Sequence, residues 1–458
     1  MTWLLVGCVR SHSPGAVSPS GDESGPRPVV DGMGHVPLSE SQPSGDPGAA
    51  PSVVIQGVAG QALGASLSVL DGLHAGVPGL VIVGAMGDLD ELPSSDAAVL
   101  AGLLPRGLMP LNQLWDGVSR IVGAGGFSNG NYEWAGDATG DGEMDLWIGA
   151  QLRAGPFLGR LTVYDYYETE FAIAWSPRDS PTSGFDADGD GVLDLMTGLP
   201  FTYAAWQVTY GPIAGELESF DEGGVDTADV SILGDTYAPC GLYPTSRVLW
   251  DALGPGHHAI AVGEDDYECS PMLEDGFVYD LMLPRGSQVP RSEAIATTEG
   301  AWDRVALYPM GDVDGDGDGE VFGLSPGSLS AVFESPVSGV LTPGVGVSML
   351  QNDKNFFLRM PCGDINGDGT YELLDRDVGI LFSPFSETED MTQHAARVQL
   401  DTRGLDMYVY DPICTHHADL DGDGLEDIAH AWFDAYGGAG EVLIWYGADL
   451  VAALEGAD

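Results

Sequence analysis

From residue 53 onward, short apolar runs alternate with turn-rich stretches, and the apolar spacing almost never follows a helix. GRLTVYD (159–165), GFVYDLML (276–283) and GEVLIWYG (440–447) have the β-branched and aromatic content of strands, each expected as the third of its unit. SRIVGAG (119–125) and PSVVIQGVAG (51–60) read as closing strands. SSDAAVLAGLL (94–104) is the best helix candidate, although its spacing also suits a strand. The 66 glycines and 30 prolines cut the chain into many short pieces, so the pattern predicts an all-β protein.

One acidic pattern recurs. DATGDGEMD starts at Asp137, DADGDGVLD at Asp186, DVDGDGDGE at Asp312, DINGDGTYE at Asp364 and DLDGDGLED at Asp419. Each carries an oxygen-bearing side chain at positions 1, 3 and 5, glycine at 4 and 6, and a carboxylate at 9. Two worn copies keep only the first aspartate, at Asp71 and Asp251, with Leu73, Ala75 and Gly79, or Leu253, Pro255 and Ala259, in place of the other ligands. Together they mark a unit of roughly 58 residues repeated seven times, the signature of a solenoid or propeller. Four strands per unit, joined by turns, is the anatomy of a propeller blade. The expected fold is a seven-bladed β-propeller of four-stranded antiparallel blades. Residues 51–60 precede the first unit and would supply the outer strand that the last unit lacks, covering an open edge.

The spacing suits a hard divalent cation of calcium size, which takes six to eight oxygens. The side chains expected to bind are Asp137, Thr139, Asp141 and Asp145; Asp186, Asp188, Asp190 and Asp194; Asp312, Asp314, Asp316 and Glu320; Asp364, Asn366, Asp368 and Glu372; and Asp419, Asp421, Asp423 and Asp427. The carbonyls of Glu143, Val192, Asp318, Thr370 and Leu425 at position 7 would complete the sets. An EF-hand is excluded, because it needs a glutamate at position 12 and helices on both sides. Position 12 here is Ile148, Thr197, Gly323, Asp375 or His430, within strand-forming sequence. About five structural calcium ions are expected. A single such loop would read as a solvated turn, but five copies favour metal.

These acidic loops, with the apolar run and glycine-rich turn that follow, resemble the FG-GAP repeats of the integrin alpha-chain propeller and the VCBS-type repeats of bacterial proteins. The resemblance covers about residues 53–447. It implies that the acidic loops lie on the lower face, away from a partner-binding upper face. On that basis the longest upper-face loops, around 221–245 and 264–275, are where an unknown protein or glycan ligand is expected.

Composition narrows the partners. With 70 acidic residues against 16 basic ones, the formal net charge is −54, which argues against nucleic acid and against docking on an anionic membrane. No apolar run is long enough to span a bilayer. Residues 1–8 end in LVGC, which resembles a bacterial lipobox with Cys8 as the lipidated residue, and residues 9–52 read as a Ser/Pro/Gly-rich tether to the domain at 53–458. An exported protein of the cell envelope follows, either tethered by that lipid or secreted. Cys240 and Cys269 lie at the same end of the hairpin around the worn loop at Asp251, so a bridge between them is expected in an oxidising compartment. Cys362 and Cys414 either pair or stay as buried thiols.

No catalytic set is expected. Ser128 in GFSNG lacks a following helix, and Ser325 in GLSPG is followed by Pro326, which has no N–H for an oxyanion hole. His257–His258 and His416–His417 lack ligand spacing, and the aromatics of 164–171 and 201–210 alternate as core strand residues do. The function expected is non-enzymatic binding or adhesion. The alternatives are the propeller of an extracellular polysaccharide- or lipid-degrading enzyme, or a purely structural envelope protein.

Overall fold

The computed structural model describes residues 48–57, 63, 66–74, 77–84, 96–101, 104, 106–110, 118–122, 132–148, 151–155, 157, 163–165, 173–174, 182–186, 188, 190, 192–199, 205–213, 229–233, 243–249, 251–255, 257–265, 276–298, 306–312, 316–324, 329–342, 348–351, 359–375, 379–383, 396–403, 413–414, 419–432 and 439–456. The protein is all-β apart from short helical pieces.

Strand β1 (Val53–Gln56) comes first. Next are β2 (Ser66–His74), β3 (Val77–Gly84), β4 (Asp96–Ala101), β5 (Gly107–Pro110) and β6 (Val118–Val122). The second unit holds β7 (Tyr132–Gly136), β8 (Asp145–Ile148), β9 (Gln151–Arg153), β10 (Val163–Asp165) and β11 (Ile173–Ala174). The third holds β12 (Thr182–Phe185), β13 (Asp194–Leu199), β14 (Ala205–Thr209) and β15 (Val230–Leu233). The fourth holds β16 (Tyr243–Leu249), β17 (Ala259–Asp265), β18 (Gly276–Asp280), β19 (Ser287–Pro290) and β20 (Ala296–Thr298). The fifth holds β21 (Ala306–Gly311), β22 (Glu320–Leu324), β23 (Leu329–Phe333), β24 (Gly339–Leu341) and β25 (Ser348–Gln351). The sixth holds β26 (Arg359–Pro361), β27 (Leu373–Asp375), β28 (Gly379–Leu381) and β29 (Arg397–Val398). The last holds β30 (Ile413–Cys414), β31 (Ile428–Trp432), β32 (Glu441–Trp445) and helix α1 (Gly447–Gly456).

Among the described residues these strands form seven sheets, each built on an antiparallel run of four strands. The last sheet takes its fourth strand from the other end of the domain. β1 pairs antiparallel with β32, setting Val53 opposite Ile444 and Ile55 opposite Val442. Four further strands leave their own unit and lie parallel on the outer edge of another sheet. β5 pairs with β1, β10 with β6, β19 with β15, and β24 with β20. Each such strap comes from the loop between the third and fourth strands of its unit and covers an edge that would otherwise present unpaired backbone groups.

The core lies between sheets. One cluster joins Leu67 and Leu100 of the first unit to Ala429, Val442 and Ile444 of the last. Another joins Leu374, Ile380 and Phe382 of the sixth to Ile428, Trp432, Leu443 and Trp445 of the last. A sheet covered on both faces needs no polar side, so β32 reads Glu-Val-Leu-Ile-Trp with every residue buried. β1 shows the same economy: Val53 and Ile55 face the first unit while Val54 faces the sixth. The buried Glu441 is countered by Arg403, whose Nε lies 3.3 Å from its carboxylate.

Several expectations need correction. The run GRLTVYD is not a third strand; its part 163–165 is strap β10, and the third strand of that unit is β9. Of the two readings left open for 94–104, the strand is the one found, as β4 over Asp96–Ala101. The helix over 447–456 was not anticipated. Residues 48–52, assigned to the tether, dock on the domain: Ala49 N donates to Gln399 O at 2.7 Å, Trp445 Nε1 donates to Ala49 O at 3.0 Å, and Ser52 is 7% exposed.

Truncating the shared strand tests its weight. Ile55→Ala, at a fully buried position, lowers the unfolding free energy by about 2–5 kcal/mol. Leu108→Ala, on strap β5 and 53% exposed, changes it by less than about 0.5 kcal/mol. Chemical denaturation checks both, and equal losses would contradict the placement of β1.

Candidate metal-binding loops

Every acidic turn follows the first strand of its unit and leads into the second: 137–145 joins β7 to β8, 186–194 joins β12 to β13, and 312–320 joins β21 to β22. The turns at 364–372 and 419–427 lead into β27 and β31. The same hydrogen bonds recur in them. The first carboxylate accepts the N–H groups of positions 5 and 6. Asp137 does so from Asp141 and Gly142 at 2.9 Å, and Asp364 from Asp368 at 3.0 Å and Gly369 at 2.9 Å. Asp312 and Asp419 repeat the pair, and Asp186 accepts from Asp190 at 3.1 Å. The fifth carboxylate accepts the N–H of position 7, at 2.9 Å from Glu143, Asp318 and Leu425 and at 2.8 Å from Val192 and Thr370. Such tight winding is why positions 4 and 6 favour glycine.

The ninth position differs from the rest because it is buried. Asp145, Asp194, Glu372 and Asp427 are 0% exposed and Glu320 is 2% exposed. Asp427 accepts N–H groups from Leu420 at 2.6 Å and Gly447 at 2.8 Å, and Asp194 accepts one from Gly211 at 2.8 Å. Glu372 accepts from Ile365 N at 2.7 Å, and Asp145 from Thr139 N at 2.8 Å. Burial pushes Asp145 up to about 6 and both Glu372 and Asp427 up to about 8. The backbone donors oppose that rise, and the other carboxylates of each loop add to it.

Among the described residues, carboxylates cluster in two of the loops. Asp186, Asp188 and Asp194 each place one oxygen within 4.8 Å of the others, as do Asp419, Asp421 and Asp423. These donor sets are all oxygen, and each includes repelling carboxylates that a divalent cation would neutralise, so the residues fit a hard cation. In the loop at 364–372, Asn366 Oδ1 accepts the N–H of Asp368 at 2.8 Å. Asp314 lies outside the described residues.

Adjacent loops touch. The glycine before position 1 takes a positive φ, and the eighth residue of the next loop fills the space a side chain would need. A Cβ on Gly136 would stand 1.8 Å from Leu193 Cδ1, and one on Gly363 would stand 1.1 Å from Glu426 Oε2. The amide of Glu426 also donates to the carbonyl of Asp364 at 3.3 Å.

Two arginines escaped the sequence reading. Arg106 and Arg285 occupy the same place in two Leu-Pro-Arg-Gly segments, 104–107 and 283–286, immediately before straps β5 and β19. Arg285 stacks 4.8 Å above the ring of Tyr210, and Arg106 stacks 4.9 Å above that of Tyr446. Each tyrosine directly follows the third strand of its unit and donates its hydroxyl to the leucine carbonyl of the segment, Leu283 or Leu104. The guanidinium of Arg285 bonds Asp188, and that of Arg106 reaches Asp421 and Asp449. The repeated tetrapeptide was the available signal.

Other candidates fall elsewhere. Cys362 is buried and disulfide-bonded. Cys414 sits in β30 opposite Ile428, whose side chain packs in the same cluster as Cys362. Cys8, Cys240, Cys269, Ser128, Ser325, His416 and His417 lie outside the described residues, as do most of the loops at 221–245 and 264–275. His258 Nδ1 accepts the N–H of Asp251 at 3.0 Å, holding the worn fourth loop together without a metal set. His430, at the twelfth position of the last loop, is buried against Trp432, and burial lowers its pKa to about 3, so it is neutral.

An all-β protein of repeated sheets with oxygen-lined acidic turns is the class defined here. No family model and no curated protein matches the sequence. Among solved structures, the chain is similar to BBS1N in its complex with ARL6DN, with a TM-score of 0.27 and 9% identity over 66% of this chain and 85% of that one. It is similar also to the V. cholerae biofilm matrix protein Bap1, with a TM-score of 0.26 and 10% identity over 87% of this chain and 88% of the other. Likenesses this weak carry no argument about family or function. No helix among the described residues is long and apolar enough to cross a membrane.

The ninth-position shifts fix a sign. With EGTA present, the folded chain holds protons on Asp145, Glu372 and Asp427 that the unfolded chain releases near the ordinary carboxylate value. Their contribution is full below about pH 4 and is lost as pH rises through about 6 to 8. The melting temperature in EGTA therefore falls between about pH 5 and pH 8, and Glu372→Gln with Asp427→Asn flattens the fall. A level wild-type profile would refute this.

Proposed function

We propose that this chain is a calcium-stabilised, seven-bladed β-propeller of FG-GAP type that serves as an exported, non-enzymatic binding or adhesion module. The observation that carries the reading is the set of five turns with one hydrogen-bond plan, each ending on a buried carboxylate. Support for the propeller comes from the contacts of β2 with β7 and β31, of β7 with β12, of β16 with β21, and of β21 with β26. The pairing of β1 with β32 and of β5 with β1 supports closure between the last unit and the first. Asp, Asn and Thr oxygens at positions 1, 3 and 5, the carboxylate at 9 and the carbonyl at 7 would hold each ion. A bound ion supplies positive charge where those groups repel, and it acts as a structural element.

The role in binding rests on the absence of a catalytic constellation in the sequence and on the resemblance to FG-GAP propellers. Calcium at about a hundred times its dissociation constant adds about 2.7 kcal/mol for each site, so several sites rival the stability of an ordinary domain. Excess EGTA at neutral pH is thus expected to lower the melting temperature by ten degrees or more, on the order of what a loss of several kcal/mol produces. Readdition of calcium restores it, and a melt unchanged by EGTA would end the structural-calcium reading. Glycan and envelope-extract arrays probed with and without calcium then test binding: a calcium-dependent glycan signal identifies a lectin-like module, and protein signals alone identify a protein-binding one.

A further inference from the structure

The two loops in which three described carboxylates cluster are each reached by a strap arginine. In both, Oδ1 of the third-position aspartate is committed to the loop. Asp188 Oδ1 accepts the N–H of Asp190 at 3.3 Å, and Asp421 Oδ1 accepts that of Asp423 at 3.2 Å. The other oxygen, Oδ2, accepts no N–H from the loop among the described residues, which leaves it the more open of the two to an ion. It is also the atom the guanidinium engages. Arg285 places Nη2 2.8 Å and Nε 3.3 Å from Asp188 Oδ2, and Arg106 places Nη2 3.7 Å from Asp421 Oδ2.

We infer that Arg285 and Arg106 are built-in competing cations that weaken divalent-ion binding at the loops 186–194 and 419–427, so that ion occupancy and the seating of straps β19 and β5 oppose each other. The inference rests on the calcium reading above and adds an inequality among its sites. A guanidinium stays charged at any working pH and carries no acceptor, so it cannot share an ion as a ligand. It can only occupy lone pairs of Oδ2 and repel the ion through space. Its ring stack on Tyr210 or Tyr446, and the hydroxyl bond of that tyrosine to the strap, hold it in place. The opposition is reciprocal: whatever factor the arginine takes from ion affinity, the ion takes from the seating of the arginine. The sequence contains the Leu-Pro-Arg-Gly tetrapeptide only at 104–107 and 283–286.

The test is calcium titration calorimetry on the chelator-stripped full chain at low ionic strength, for wild type, Arg285→Met, Arg106→Met and the double variant. Both guanidiniums are more than half exposed, so screening keeps the effect moderate. Each single variant should tighten one class of site by about threefold to tenfold, and the double variant two. Arg285→Lys, which keeps the charge without the fork, should fall between wild type and Arg285→Met, and it stands in if the methionine variant fails to fold. Unchanged or weaker calcium binding in folded variants, against a normal wild-type isotherm, would overturn the inference alone and make the arginines positioning groups. A wild-type chain that binds no calcium would overturn the calcium reading and this inference with it.

Discussion

Each acidic turn depends on one buried carboxylate, the ninth residue of the loop. It ties the winding turn to the strand hairpin beneath by accepting N–H groups from both, as Asp427 does from Leu420 and from Gly447. A carboxylate without solvent is costly unless something compensates it. Here the compensation is partial: two backbone donors lower the pKa of Asp427 while burial and the neighbouring aspartates raise it to about 8. The remainder is a carboxyl that a nearby positive charge would favour in its ionised form. In the loops at 186–194 and 419–427 three carboxylates place oxygens within 4.8 Å of one another, where a cation would relieve their repulsion.

The second constraint is the strand edge. A repeated meander leaves an open outer strand on every sheet, and this chain covers at least four of them with straps from another unit. Straps do more than hide backbone groups, because they couple units. β5 leaves the first unit, pairs with β1 and so joins the last sheet, carrying Arg106 to the last acidic loop on the way. Loop, strap and edge are therefore one mechanical system in the third and last sheets.

The loops were legible because the pattern is local: nine consecutive residues specify the turn, and the apolar run after it specifies a strand. The pairing of residues 53–56 with the last strand was legible because Val-Val-Ile-Gln had no other unit to complete. What could not be read was which strand lies beside which. Residues 163–165 have the same alternation whether they form a third strand or a strap, since periodicity reports burial and not the identity of the neighbour. The docking of 48–52 was missed for a related reason: Ala49 and Ser52 attach through backbone and hydroxyl hydrogen bonds, which leave no hydrophobic trace. The helix over 447–456 buries only Gly447 and Leu450 fully, so its amphipathic signal is thin. Arg106 and Arg285 were overlooked because the repeat was sought in acidic residues alone.

The lopsided composition takes a physical meaning from these sites. Of 16 basic residues only Lys354 is lysine, and the described arginines Arg106, Arg285 and Arg403 each meet a carboxylate. A forked, permanently charged donor suits a fixed carboxylate better than a flexible ammonium does. With 16 basic residues against 70 acidic ones, neutralisation by side chains is confined to selected points. Where carboxylates stand as close as in the loops at 186–194 and 419–427, the arginine at each offsets part of the charge. Divalent ions from solution would balance the rest with the most oxygens satisfied per charge, so a composition that argues against nucleic acid is in keeping with the proposed calcium.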